Sequence, residues 1–111
     1  MLDRTKAMKH EDDRRILFDW ANGNFKSIKT VYIKEPINIG DHHHKNKDEY
    51  FMLVHGTFLE MQVGEVTLFN LKAPYIITIF KNTYHRFVCE PGSILVCGAT
   101  ELFDENDEIK K

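Results

Sequence analysis

Two histidines and a glutamate near the middle of the chain have the types and the spacing of a metal or acid–base site. His42 and His44 are two residues apart, and Glu49 follows five residues later. Because residues two apart in a β-strand point to the same face, the two imidazoles can converge on one point. The polar segment 45–48 is turn-like, so a strand that starts at Glu49 can return beside the first. With His85 as a fourth candidate, three imidazoles and a carboxylate suit either a divalent transition metal or a metal-free acid–base cluster.

The strand that begins at Glu49 supports an interior site. Its alternate positions Phe51 and Leu53 are apolar, so this face is expected to point into the protein. A carboxylate on an interior face is costly unless it is paired or bound to metal, which makes Glu49 informative on its own. His43 points to the opposite face and is expected to be a bystander. His55 shares the face of Glu49 but lies at the far end, where we expect a structural role.

From residue 15 onward, short β-rich runs alternate with turn residues and show no helical period, which predicts an all-β sandwich or barrel. The predicted strands lie near 15–20, 26–34, 41–44, 49–55, 57–63, 65–71, 75–80, 85–89 and 93–99. Gly56 and Gly64 are expected to supply positive φ angles at hairpin ends. The charged residues 1–14 are predicted to be a loose or partner-packed arm, and 15–111 a single β-barrel domain.

Length and composition exclude several classes of protein. A chain of 111 residues supports one hydrophobic core, and a net charge of −2 with interspersed signs gives no basic footprint for nucleic acid. No apolar run approaches the roughly 20 residues of a membrane helix, and the N-terminus lacks the apolar stretch of a signal peptide. Cys89 and Cys97 lie in predicted strands without CxxC spacing, which indicates reduced core thiols in a cytoplasmic protein.

The spacing of the first site residues resembles the first motif of the cupin superfamily, G-x5-H-x-H-x4-E-x6-G. The part from His42 to Gly56 matches throughout, whereas only one residue, Asp41, separates Gly40 from His42 where the motif has five. The second motif, G-x5-P-x-G-x2-H, is matched in outline: Asn82 replaces the glycine, and His85 keeps the ligand position. Asparagine is the commonest non-glycine residue in the left-handed region, so the turn can survive. The resemblance implies a cupin-type double-stranded β-helix, or jelly-roll barrel.

Within the cupins, the chain resembles the small sugar-nucleotide ketoisomerases of the FdtA/QdtA/WxcM-like group, which act on dTDP-4-keto-6-deoxyhexoses. The resemblance runs from about Asp12 to Lys110. Asp12-Asp13-Arg14-Arg15-Ile16-Leu17 is similar to the family's D-x-R-G-x-L start, and residues 25–33 are similar to its F-x-I-K-R-V-Y strand. Residues 40–45 are similar to its R-G-x-H-A-H-K run, and residues 97–107 to its A-S-x-x-Y-D-E-x-D ending.

This resemblance implies roles for individual residues. The first histidine of the H-A-H pair is the family's proton-transferring base, which corresponds to His42, with His44 and Tyr32 as neighbours in the pocket. From the residues alone, Tyr32 reads equally as a core aromatic or as a hydrogen-bond donor to a substrate oxygen. Two family arginines are replaced by Ile39 and Thr30, which weakens the expectation that a nucleotide diphosphate is recognised. Conversely, the family commonly lacks a carboxylate at the position of Glu49.

The protein is therefore expected to be a cytoplasmic enzyme that isomerises or epimerises a nucleotide-linked keto-sugar. The reaction is expected to proceed by proton transfer through an enediolate. Alternatives are an Fe(II)-dependent cupin dioxygenase and a non-catalytic small-molecule-binding cupin. The expected ligands of a divalent metal (Zn, Mn, Fe or Ni) are His42, His44, Glu49 and His85, with a metal-free site left open. Lys45 and Lys47 are expected to form a solvated turn. Apolar residues near 14–20 predict a homodimer, with no nucleic-acid or membrane partner.

Overall fold

The computed structural model describes residues 2–21, 23–36 and 38–110, and the side chains of all of these except residues 2 and 110. Almost every regular element within them is a β-strand. The strands are β1 (Leu2–Asp3), β2 (Lys9–Glu11), β3 (Ile16–Phe18), β4 (Ser27–Tyr32), β5 (Asn38–His44), β6 (Glu49–His55), β7 (Thr57–Val63), β8 (Val66–Lys72), β9 (Tyr75–Ile79), β10 (His85–Cys89), β11 (Ile94–Ala99) and β12 (Glu108–Lys110). One 3-10 helical turn, Glu105–Asp107, precedes β12.

Two five-stranded antiparallel sheets form the barrel. The first has the order β1-β9-β6-β11-β4, and the second has the order β12-β5-β10-β7-β8. Alternate residues along β10 are buried, which is the period-2 pattern of a strand with one face on a core, and Phe58, Met61 and Val63 of β7 are buried beside it. The predicted all-β fold, a double-stranded β-helix of antiparallel sheets, is confirmed. The apolar core between the sheets comprises Ile33, Phe51, Leu53, Phe58, Met61, Val63, Ile77, Ile79, Phe87, Cys89, Leu95 and Cys97.

All nine predicted strands are present, as β3 to β11, and the bounds of β6, β7 and β10 match the prediction. Three further strands were not predicted, namely β1, β2 and β12. Each is at most three residues long and owes its conformation to a partner strand rather than to its own pattern. Cys89 and Cys97 are buried and free, as expected. None of the helical segments in the described ranges has the length or apolar character needed to cross a bilayer.

The predicted arm has two parts in the structure. β1 pairs with β9 at the edge of the first sheet, whereas β2 and β3 form a two-stranded sheet of their own. Residue 1 of the arm lies outside the described residues, as do residues 22, 37 and 111 of the predicted domain. The boundary between arm and domain at residue 15 stays a prediction.

β5 changes register at Asp41. His85 of β10 pairs with His42, whereas the next residue, Arg86, pairs with Gly40, so Asp41 is the extra residue of a β-bulge. Gly40 and Asp41 both have positive φ, at 92° and 61°. The predicted strand began only at residue 41 because a bulged segment has no uniform alternation for the sequence pattern to follow.

Gly56, which links β6 to β7, lies against Ser93. Its φ is +97°, in the region that side chains with a Cβ rarely adopt, and a Cβ there would lie 2.1 Å from Oγ of Ser93 and 2.7 Å from its Cα. That hydroxyl is buried and accepts a hydrogen bond from the amide of Thr57 at 3.2 Å. The turn therefore needs glycine both for its backbone conformation and for space, and the positive φ predicted for it and for Gly64 is confirmed.

We expect Gly56→Ala to destabilise the protein more than Gly92→Ala. Gly92 also has positive φ, +88°, but no atom lies within 4 Å of the point that a Cβ would occupy, so it carries only the backbone cost, about 1–2 kcal/mol. The clash at Gly56 should add about 1–3 kcal/mol. Urea unfolding of both variants measures the difference, and equal destabilisation would show that contact with Ser93 does not constrain the turn.

Candidate functional site

Three neighbouring strands bring the histidines and the glutamate together at one end of the barrel. His42 and His44 lie on β5, and His85 lies opposite His42 on β10 of the same sheet. Glu49 is the first residue of β6, in the other sheet. The turn between β5 and β6 crosses from one sheet to the other. The site is therefore a junction between the two sheets.

The bulge in β5 determines which side chains of that strand face inward. Ile39, before the bulge, and His42 and His44, after it, all line the same cavity. In a strand of uniform alternation Ile39 would face away from the two histidines, so the extra residue is what allows all three to face inward. Gly40 is also in close contact with the site: a Cβ there would lie 2.9 Å from the carbonyl oxygen of His85.

The carboxylate of Glu49 is at the centre of the cluster. Its Oε1 lies 3.0 Å from Nε2 of His44 and 3.2 Å from Nε2 of His85, and all three side chains are buried. The ring of His42 is 4.4 Å from that of His44 and 4.9 Å from that of His85, measured between centroids. One donor atom from each of the four residues lies within 4.8 Å of all the others. This arrangement can hold a metal ion, because ligands about 2.1 Å from a metal are about 3–4 Å apart.

Two contacts behind the cluster orient its rings. Nδ1 of His85 lies 3.2 Å from the carbonyl oxygen of Thr83. Oδ2 of the buried Asp107 lies 3.6 Å from Nδ1 of His44, and its other oxygen accepts hydrogen bonds from the amides of Lys45 and Asn46 at 2.9 and 3.0 Å. Such outer contacts are typical of histidines that bind metal through their second nitrogen.

The nitrogen and oxygen atoms of this cluster form a set of ligands that can bind a cation. A carbonyl oxygen only accepts, so Nδ1 of His85 carries the hydrogen of its contact with Thr83, and Nε2 is the nitrogen that faces Glu49. Within the described residues, Oε1 of Glu49 and Nδ1 of His44 are buried without a hydrogen-bond partner. The close approach of Oε1 to the two Nε2 atoms is stabilised by a proton or a metal ion between the carboxylate and each ring. The donor set therefore fits a divalent transition metal.

Burial and mutual repulsion set the charge of the site. Burial, followed by the neighbouring His85 and His44, lowers the pKa of His42 to about 4, so His42 is neutral near pH 7. Burial alone would raise the pKa of Glu49, but its contacts with His44 and His85 outweigh burial and lower that pKa well below the usual range. Burial and the nearby Glu49 raise the pKa of Cys97 to about 12, which leaves a neutral thiol 3.6 Å from Oε2 of Glu49. The site thus combines a carboxylate with a neutral imidazole base.

A cavity of about 140 Å³ lies in front of the cluster. A cavity of about this size accommodates a benzene ring, so one six-membered ring fits. Polar and apolar side chains share the lining, which consists of Lys29, Val31, Ile39, Gly40, His42, His44, Lys47, Glu49, Phe51, His85, Phe87, Leu95, Cys97 and Glu108.

The prediction that Lys47 belongs to a solvated turn is wrong. Its side chain folds into the barrel, where the residue is only 4% exposed and lines the cavity, whereas Lys45 is exposed as expected. A polar turn gives no alternation from which an inward lysine could be inferred. Asp107 was also missed, because it lies in an acidic tail in which no pattern distinguishes one carboxylate from the others.

The structure does not bring Tyr32 to the cluster. Its residue is 70% exposed on the outer face of β4, which it shares with Ile28, whereas Lys29 and Val31 on the same strand line the cavity. The sequence pattern correctly grouped residues 28, 30 and 32 on one face, but that face points outward. His43 does not line the cavity, and His55 is exposed.

Comparison with solved structures relates this fold to enzymes of sugar-nucleotide metabolism. A 3,4-ketoisomerase from Helicobacter canadensis is similar with a TM-score of 0.74 and 24% identity, over 93% of this chain and 85% of that one. A mutant of the 3,4-ketoisomerase QdtA from Thermoanaerobacterium thermosaccharolyticum, in complex with TDP-4-keto-6-deoxyglucose, has a TM-score of 0.73 and 18% identity, over 93% and 82% of the two chains. The rmlC epimerase of Mycobacterium tuberculosis has a TM-score of 0.72 and 12% identity, over 90% and 63%.

These similarities establish the fold. No family model matches the chain, and no curated protein matches it. The double-stranded β-helix inferred from the cupin motif is the fold of these structures, so the resemblance noted in the sequence is confirmed at the level of fold. At identities of 12–24%, activity and substrate do not follow from the fold alone.

Proposed function

We propose that this protein is a cytoplasmic sugar isomerase that acts on a nucleotide-linked keto-sugar by proton transfer through an enediolate. The observation that carries the proposal is a neutral, inward-facing His42 at a cavity that accommodates one six-membered ring. The ketoisomerases that share the fold, one of them in complex with TDP-4-keto-6-deoxyglucose, support the substrate class.

His42 is the proton-transferring base. A proton α to a ketone is weakly acidic, so catalysis needs a base that is unprotonated at the working pH. The imidazole takes the proton from the carbon that bears the hydroxyl, the C–H electrons form a C=C bond, and the carbonyl oxygen becomes the enediolate oxygen. After the hydroxyl proton passes between the two oxygens, His42 returns its proton to the former carbonyl carbon. The ketone has then moved to the neighbouring carbon, with no atom gained or lost.

Lys29 supports recognition of a nucleotide diphosphate. It lines the cavity from β4 but is exposed, so its ammonium is at the rim, where a phosphate group outside the cavity can reach it. Lys29 is adjacent to Thr30, and the family that this chain resembles has an arginine at the position of Thr30. Lys29 therefore places a cation next to the position of that missing arginine.

We further propose that His44, Glu49 and His85, with His42 available as a fourth ligand, hold a divalent transition metal. The unpartnered Oε1 of Glu49 and the two imidazole nitrogens near it support this assignment. A bound divalent cation would supply a positive charge that polarises a substrate oxygen. The base role of His42 requires its pocket-facing nitrogen to be free, because one nitrogen cannot bind a metal and accept a proton at once.

A metal-dependent dioxygenase is the second candidate, favoured by the same set of three imidazoles and one carboxylate. The two functions differ in whether oxygen is consumed. Purified protein loaded with Fe(II) and offered a keto-sugar nucleotide should isomerise it equally with and without oxygen. Oxygen uptake that depends on the sugar would favour the dioxygenase.

His42→Ala should reduce solvent deuterium incorporation into TDP-4-keto-6-deoxyglucose by about 10²–10⁴-fold, since it removes the base. The measurement is mass spectrometry of the sugar after incubation in D2O, alongside unfolding curves that report whether the variant is folded.

His43→Ala is the matched control, because the adjacent side chain does not line the cavity. It should exchange at the wild-type rate. If no keto-sugar nucleotide exchanges a proton with wild type, the isomerase proposal fails. If both variants lose exchange equally, the base is not His42.

Protein purified without added metal should contain one divalent transition metal per chain by elemental analysis, and Glu49→Gln should weaken its binding at least about 100-fold. The substitution keeps the shape of the side chain but removes the charge that the metal requires. His55→Gln, at an exposed position of the same strand, should bind metal as wild type does. A wild type that neither contains metal nor binds Zn²⁺ or Co²⁺ in calorimetric titration would refute the metal site.

We also propose that the protein is a homodimer in which the hairpin of β2 and β3 packs on the second copy. The hairpin belongs to neither sheet of its own chain, and Ile16 and Leu17 are 51% and 39% exposed. An isolated two-stranded hairpin is marginally stable in water, so an ordered hairpin with apolar side chains needs a further surface to cover it.

Light scattering at micromolar concentration should give the mass of two chains. Ile16→Asp combined with Leu17→Asp should convert the protein to a monomer, because burying two carboxylates in the contact is costly. Val66→Asp, an exposed apolar position on β8, is the control and should remain dimeric. A monomeric wild type would rule the dimer out.

A further inference from the structure

Lys47 is a buried cation in the wall of the cavity. It follows β5 in the turn to β6, and its side chain lines the same cavity as Glu49 and Cys97. The residue is 4% exposed, whereas Lys29, the other lysine of the lining, is exposed. Across the described ranges, Lys47 is the only lysine or arginine that is buried.

The ammonium of Lys47 forms no ion pair with a carboxylate in the described part of the chain. Among the described residues it takes part in no salt bridge within 4.0 Å and no hydrogen bond. The adjacent Asp48 accepts a hydrogen bond from the amide of Lys81, and Glu49 is in contact with His44 and His85. The residue as a whole is buried, but its Nζ is not among the atoms that are both buried and without a hydrogen-bond partner, so the ammonium is not sealed off from solvent. A cation in the wall of the cavity can pair with an anionic group that enters it.

We propose that Lys47 donates a hydrogen bond to the substrate oxygen that becomes negatively charged in the enediolate. This inference rests on the proposed isomerase function and assigns to Lys47 the role that the sequence alone would allow for Tyr32. When His42 removes the carbon-bound proton, the C–H electron pair forms the C=C bond, and the π pair of the carbonyl group becomes negative charge on the former carbonyl oxygen. The ammonium stabilises that charge until the hydroxyl proton passes to this oxygen, so Lys47 is unchanged over the cycle.

A single oxygen suits this position better than a phosphate group does. Lys47 lines a cavity of about 140 Å³ that His42 also lines, and a ring that fills this space leaves no room for a diphosphate. The diphosphate must stay at the rim, where Lys29 is exposed. Donors aimed at developing charge in a site that excludes water are typically the largest single contribution to catalysis.

The test compares Lys47→Met, which keeps the length of the side chain but removes the ammonium, with Lys45→Met, an exposed lysine of the same turn. With TDP-4-keto-6-deoxyglucose, Lys47→Met should lower kcat about 10²–10³-fold and leave KM and the Kd of TDP within about threefold of wild type. Lys47→Arg, which keeps the charge, should recover part of kcat. Lys45→Met should equal wild type. A purely structural role would instead lower thermal stability, which the loss of an unpaired buried charge should not.

Two results would overturn the proposal: a kcat within threefold of wild type in Lys47→Met, or a weakened Kd of TDP with kcat intact, which would make Lys47 a phosphate anchor. If wild type neither turns over nor exchanges any keto-sugar nucleotide, the isomerase function itself fails. Acetate then tests the anion site independently, by NMR of protein labelled with 15N at lysine and histidine. Acetate should shift the ammonium signal of Lys47 saturably, and it should shift the imidazole signals of wild type but not those of Lys47→Met. Equal imidazole shifts in both proteins would refute the oxyanion site.

Discussion

The contact of the Glu49 carboxylate with His44 and His85 is the interaction on which the rest of the site depends. It joins a strand of one sheet to two strands of the other at a buried position. A lone carboxylate there would be protonated or exposed, because its charge loses hydration without compensation. The imidazoles reverse that effect and keep Glu49 ionised, as its lowered pKa indicates. Removing either partner would leave an uncompensated group, so the charge of the cluster and the junction of the sheets depend on each other.

That contact imposes a constraint on β5. Both histidines must face inward while Ile39, on the same strand, contributes to the core. Regular alternation cannot satisfy both requirements, and the extra residue Asp41 does so by changing the register against β10. The bulge requires two successive residues with positive φ, of which Gly40 is the one that also lies against His85. Gly40 is thus part of the geometry of the site, although its distance from His42 departs from the spacing of the cupin motif.

The parts of the fold that follow period-2 patterning could be predicted from the sequence. Strands β6, β7 and β10 are β-rich runs between turn residues, which set their bounds, and the apolar alternation of Phe51 and Leu53 indicates the inward direction of Glu49. The inward direction of His85 was predicted from its place in the second cupin motif. The alternation shows which residues of a strand share a face. It does not show which of the two faces is buried when both carry apolar residues. For β4 it grouped Tyr32 with Ile28 correctly and could not show that both point outward.

Groups that enter the site from turns and tails could not be predicted, for a different reason. Lys47 and Asp107 lie in polar segments, where neighbouring residues are all compatible with solvent and position alone decides burial. Their positions follow from the sheets: the turn between β5 and β6 crosses the end of the barrel, and Asp107 holds that turn through the amides of Lys45 and Asn46. Local sequence carries little information about contacts that form only once distant strands have paired.

The separation of Lys47 from Glu49 follows from the same cluster. Both line one cavity, and a direct pair would neutralise both charges before any ligand arrived. Because Glu49 is held by two imidazoles, its charge is compensated on the side of the histidines, and the ammonium of Lys47 is left facing the cavity. In the proposed reaction, the ammonium gains a charge partner when negative charge develops in the cavity. An interaction that is stronger at that stage than in the free protein is the kind that accelerates a reaction rather than merely binding its substrate.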